Sequence, residues 1–206
     1  MTRTRLWISA LTCTFGLALA GTAAAQNGQP TAKLLRQIAV VKGFIDETLI
    51  ESKALLVPGH DVTRGIYLQE FGVLFTVKAS VITPENERWE KLLEDDDHDD
   101  ENPEKARKKY EEREAVRQEM LKARQKNYEI GKTEIRGALL DYGGTLAGLR
   151  DNQWVGIVAF IDDDFFFEKN NSETVVFRAK VSDLRAHDQG QLNDQQIQDR
   201  VSIEEY

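Results

Sequence analysis

The chain has 206 residues, a formal charge of −8 and a single cysteine, with a sequence pI of about 5.0. This acidic balance argues against nucleic acid or an anionic membrane surface as a main partner. The cysteine, Cys13, lies in the N-terminal apolar stretch, so the rest of the chain carries no disulfide, no cysteine nucleophile and no cysteine-based zinc site.

Residues 1–25 have the layout of a secretory signal peptide. Arg3 and Arg5 form a basic start, Leu6 to Ala20 an apolar core, and Ala23-Ala24-Ala25 a small-residue cleavage site. The apolar core is short for a bilayer span. The two arginines are not adjacent, which points to a Sec-type rather than a twin-arginine signal. The expectation is cleavage after Ala25, export to the periplasm or the medium, and no membrane span after cleavage. Residues 26–206 are expected to form a single domain.

Thr31 to Leu55 reads as an amphipathic helix, with Leu34, Ile38, Val41, Ile45 and Leu49 on one stripe and Thr31 as N-cap. Pro58-Gly59 ends it. The stretch Asp61–Ile82 then organises the fold. From Val73 it alternates, with Val73, Phe75, Val77, Ala79 and Val81 pointing one way and Leu74, Thr76, Lys78 and Ser80 the other. Gly65 and Gly72 bracket an earlier apolar segment, Ile66-Tyr67-Leu68, and mark a bulge, turn or close backbone approach.

Residues 84–126 read as an insertion. Glu85 to Leu93 is a short helical candidate, followed by Glu94 to Asn102, a run of seven carboxylates that repel one another and bury nothing. Glu104 to Lys126 is helical by propensity and charge pairing, with few apolar positions to bury. Tyr128, Ile135, Leu139, Tyr142, Leu146 and Leu149 then mark a core-facing helix, with a local break or close packing at Gly143-Gly144.

Trp154 to Ile161 is almost continuously apolar and suits a central strand covered on both faces. Thr174 to Val181 alternates again, and the pair reads as an antiparallel hairpin. Ser182 is placed to cap a short helix to Asp188, and Asn193-x-x-Gln196 has the spacing of a capping box for a last helix. The fold class expected is α+β: a small, mainly antiparallel sheet with helices packed on one side and a long charged helical insertion.

The pattern Tyr67-Leu68-x-x-Phe71-Gly72-Val73-x-Phe75, with Leu140-x-Tyr142-Gly143 and the strand from Trp154 to Phe160, resembles a group of exported bacterial proteins without an assigned activity. The resemblance spans most of the mature chain. It implies a secreted bacterial domain and transfers no catalytic residue.

Three groups of residues are candidates for chemistry or contact. Asp95, Asp97, Asp99 and Glu101 are hard-cation ligands by type and would suit Ca²⁺ or another divalent ion. The run lacks the glycine and terminal glutamate of an EF-hand loop, so a solvated linker with no cofactor is the simpler reading. Asp162, Asp163 and Asp164 follow a buried strand, where clustered carboxylates could raise one pKa for acid–base work or bind a metal. A polar turn ending the strand is the favoured alternative. Phe165, Phe166 and Phe167 must alternate faces in a strand, so at least one emerges as a partner-contact residue. The histidines lack metal-ligand spacing, and no phosphate loop or nucleophile elbow occurs.

The functional expectation is a non-enzymatic binding or assembly module of the cell envelope with a protein partner. The charged helix or the Phe165–Phe167 patch would supply its contact surface. The alternative is a secreted carboxylate- or metal-dependent hydrolase acting through Asp162, Asp163 and Asp164.

Overall fold

The alternation that begins at Val73 builds the strand on which the other elements assemble. In a computed structural model, which describes residues 29–82, 103–162 and 173–206, this strand is β3 (Gly72–Val81). The chain runs α1 (Ala32–Ile50), β1 (Leu55–Leu56), β2 (Arg64–Leu68), β3, α2 (Pro103–Gly143), β4 (Trp154–Asp162), β5 (Glu173–Lys180), α3 (Val181–Asp188), α4 (Asp194–Gln198) and β6 (Ser202–Glu205). This is an α+β fold.

The strands form one sheet in the order β1-β3-β4-β5-β6, and β2 also pairs with β3. β1 and β2 therefore share one edge of β3, at opposite ends: β1 faces Ser80 and Val81, and β2 faces Gly72 to Thr76. β4 and β5 form the expected antiparallel hairpin, and β6 adds to β5 in the same sense. The central pairing differs. β3 and β4 are parallel over Gly72↔Trp154 to Ser80↔Asp162, and α2 lies in the connection between them. Parallel neighbours need a long crossover, usually helical, so the charged insertion and the helix after it are part of the topology that joins the two central strands.

α2 is a single helix of 41 residues, about 60 Å long at 1.5 Å per residue. The charged stretch and the core-facing stretch, two helices by pattern, are continuous. Ion pairs such as Glu104–Lys108 (3.5 Å) and Arg107–Glu111 (3.6 Å) support its first half. That half also buries Val116 and Met120, and the second half buries Tyr128, Ile135, Ala138, Leu139 and Leu140. The helix ends at Gly143, so Leu146 and Leu149 enter the core from the turn beyond it.

All five stripe residues of α1 are buried, and the Thr31 hydroxyl accepts a hydrogen bond from the Leu34 amide as an N-cap. They meet Phe75, Val77, Ile157, Val175, Phe177 and the α2 leucines in one core cluster on one side of the sheet, which Leu184 of α3 and Ile197 of α4 complete. Asn193 and Gln196 form the expected capping box. Ser182, by contrast, lies inside α3, whose N-cap is Lys180 with no side-chain cap.

Gly72 fixes the approach of β3 to β4. Its φ is +127°, and a Cβ there would stand 2.2 Å from the Trp154 carbonyl oxygen, so only glycine suits the position.

Candidate functional site

The residues singled out from the sequence are not gathered into one site. Asp162 is the last residue of β4, opposite Ser80 at the end of the parallel pair. Asp163, Asp164, Phe165, Phe166 and Phe167 lie outside the described residues, as do Asp95, Asp97, Asp99 and Glu101. Among the described residues no group of three or more His, Asp or Glu side chains stands together to hold a metal ion.

The surface that does take shape is the side of the sheet turned away from the helical core. Strand register puts its side chains in rows. Leu68, Gly72, Trp154 and Lys180 share one row. Ile66, Leu74, Gly156, Arg178 and Ser202 form the next, and Arg64, Thr76, Val158, Val176 and Glu204 the third. Phe160 and Thr174 lie in a fourth, with Lys78. Phe71, from the β2–β3 turn, and Leu74 close over Gly156: a Cβ at Gly156 would stand 3.0 Å from Leu74 Cδ1 and 3.4 Å from Phe71 Cζ.

β4 is therefore central, but the described elements cover only one of its faces. Its inward residues Val155, Ile157, Ala159 and Ile161 are sealed, while Trp154 and Val158 are half-buried and Phe160 is 42% exposed. Ile66 (49%) and Leu68 (42%) continue this apolar surface across β2.

Comparison with protein families, with curated proteins and with solved structures finds no match for this chain.

Charge on the open face is grouped around Trp154. The Arg178 guanidinium lies 5.6 Å and the Lys180 ammonium 5.5 Å from the centre of its ring system, within the range of cation–π attraction. Arg178 also pairs with Glu204, which accepts a 2.6 Å hydrogen bond from the Tyr206 hydroxyl. That hydroxyl and then the Arg178 charge hold the Glu204 carboxyl below its usual range. An aromatic residue flanked by two cations, on a shelf of half-buried aliphatic side chains, is suited to docking a macromolecular surface.

Two other polar clusters have structural explanations. The Tyr128 hydroxyl is pushed far up by burial and by the carboxylates of Glu173 and Glu205 beside it, so it stays protonated and acts as a donor. Lys132 bridges Glu205 (2.8 Å) and Glu129 (3.0 Å). Together these groups tie α2 to β6. Buried Asp46 of α1 accepts the Thr63 amide hydrogen at 2.9 Å and fixes the loop before β2. A surface depression of about 310 Å³ beside α1 is lined by Lys33, Arg36, Gln37, Val40, Val41 and Thr145. His187, at the end of α3, is 3.0 Å from Asp194.

The sequence pattern put Trp154 in a strand covered on both faces and did not single out Arg178 or Lys180. The signal was present in the second phase of β5: Val175, Phe177 and Ala179 face the core, which forces Arg178 and Lys180 to the other side.

Proposed function

We propose that this is an exported, non-enzymatic binding module of the bacterial cell envelope that docks a protein partner on the open face of its sheet. The observation that carries this reading is the apolar surface of Ile66, Leu68 and Phe160, adjoining Trp154 with Arg178 and Lys180. An antiparallel sheet with one wet face usually alternates apolar-in and polar-out. Here both phases of β4 are apolar, although only one is sealed by helices. Aromatic and arginine side chains are enriched where protein interfaces bind most tightly, and Lys180 favours a partner with acidic groups near its apolar contact. The N-terminal signal pattern supports export, and with it a partner in the envelope.

The test is capture from a detergent-solubilised envelope fraction by the mature chain, Gln26–Tyr206, against a variant carrying Ile66→Lys and Phe160→Lys. Both substitutions are at exposed positions, and circular dichroism checks that the fold is retained. A protein bound by the parent and lost by the variant is the expected result. Equal capture by both, or no specific capture by either, overturns the proposal.

A further inference from the structure

The outward side of α1 carries a second surface, independent of the open sheet. Lys33, Arg36, Val40, Phe44, Glu47 and Glu51 recur at spacings of three or four residues and so form one stripe, ending at the helix C-cap. Val40 is 56% and Phe44 43% exposed. Phe44 is held in place by stacking on Tyr142 of α2, with ring centroids 4.9 Å apart and planes inclined by 11°.

The charges of this stripe are sorted by sign, and none has an ion-pair partner among the described residues. Lys33 and Arg36 occupy the N-terminal end, while Glu47 and Glu51 occupy the C-terminal end. The first turn holds no acidic residue and the last no basic one. This arrangement opposes the helix dipole, which favours acids at the N-terminus and bases at the C-terminus. It also sets like charges three and four residues apart, where they repel. Several surface ions elsewhere have partners (Lys42 with Asp61, Arg185 with Asp151, Arg200 with Asp183), whereas these four make no ion pair among the described residues. Gly43 adds a further local cost in mid-helix, yet nothing lies within 4 Å of where its Cβ would be. Packing within the chain therefore does not call for a glycine there.

We infer that this stripe is a self-complementary interface on which a second copy of the chain packs, α1 against α1 and antiparallel. The positions are related by a centre near residue 42. Lys33 and Glu51 are symmetric about it, Val40 and Phe44 are symmetric about it, and Arg36 and Glu47 are so within half a residue. A two-fold axis through that point brings the basic end of each helix onto the acidic end of the other. It also sets Phe44 of each copy against Val40 of its mate, beside the depression lined by Arg36, Gln37, Val41 and Thr145. Such isologous contacts are the commonest route to a dimer. Gly43, at the centre, leaves room for the two helices to approach closely.

Sedimentation velocity of the mature chain, Gln26–Tyr206, over a concentration series tests this. The parent chain is expected to pass from monomer to dimer, with weaker association at higher salt. Arg36→Glu and Glu47→Arg should each weaken the dimer by at least about tenfold, because each reversal replaces two symmetry-related attractions with two repulsions. An equimolar mixture of the two variants should restore dimerisation, since in the mixed dimer every introduced charge again faces its opposite. Gly43→Gln should keep or raise the melting temperature, through better helix propensity, while blocking the dimer. A parent chain that stays monomeric throughout overturns the inference. So does dimerisation unaffected by the charge reversals, or a mixture no better than its components.

Discussion

The hydroxyl of Tyr128, near the middle of α2, lies 3.2 Å from a carboxylate oxygen of Glu205 in β6, joining residues 77 positions apart. Tyr128 is buried, so removing the hydroxyl loses a hydrogen bond to a charged acceptor. Tyr128→Phe is expected to cost about 1–2 kcal/mol of stability. Urea unfolding measures this, and an unchanged midpoint would show that α2 is held to the sheet by its apolar contacts alone.

The same cluster gives a pH dependence. The hydrogen bond from Lys132 chiefly, with its charge and the Tyr128 hydroxyl, lowers the folded-state pKa of Glu205 below the reference value of 4.5. A depressed carboxylate contributes stability that is fully present above the unfolded-state pKa and is lost as pH falls through the folded-state one. Lys132→Met should therefore destabilise the protein near about pH 7, and its deficit relative to the parent should shrink toward about pH 3. Unfolding curves at the two pH values check the sign. A deficit that grows on acidification would contradict the assignment.

Gly72 and Gly137 should respond in opposite directions to alanine. At Gly72 the φ of +127° and the Trp154 carbonyl, 2.2 Å from a would-be Cβ, make Gly72→Ala cost about 2–4 kcal/mol by strain and disruption of the β3–β4 ladder. Nothing lies within 4 Å at Gly137, inside α2, so Gly137→Ala should stabilise by about 0.5–1 kcal/mol. Thermal melts of the two variants give the comparison directly.

Asp46 and Thr63 form a similar pair of opposites. Removing the Asp46 carboxylate leaves the Thr63 amide buried without its acceptor, and Asp46→Ala should cost about 1–3 kcal/mol. The Thr63 hydroxyl oxygen is itself buried without a hydrogen-bond partner. Thr63→Val keeps the shape, removes that unsatisfied group, and should be neutral or stabilising. A large loss for Thr63→Val in chemical denaturation would mean that the hydroxyl makes a contact that its surroundings do not show.

The core was largely legible in the sequence because side-chain periodicity is a local property. Leu34, Ile38, Val41, Ile45 and Leu49 fall on one stripe whatever they pack against, and all are buried. The alternation of Val73 to Val81 and of Val175 to Ala179 likewise identified the inward faces of β3 and β5. Short-range capping was equally readable at Thr31 and Asn193, where a side chain meets an amide three residues on.

Ser182 shows the limit of that approach. Its residue type suits a cap, but the helix begins one residue earlier, at Val181, whose amide donates to the Gln153 carbonyl 2.9 Å away. A contact with the loop before β4 thus sets the helix start, and nothing local to Ser182 encodes it. The outward side of Trp154 was not legible for a related reason. The strand that follows it is apolar, while the cations that flank it come from β5 and meet it only through strand register.

Residue order alone thus determined which side chains seek a core, where helices start by capping, the α+β class, and the sorting of charge along Lys33–Glu51. Those features depend on interactions within a turn or two of chain. Tertiary structure alone decided that β3 and β4 run parallel, that the described elements leave one side of the sheet uncovered, and that the α1 charges find no partner among the described residues. Each of these depends on contacts between distant segments, whose free energy arises only when their surfaces meet, so no local pattern carries it.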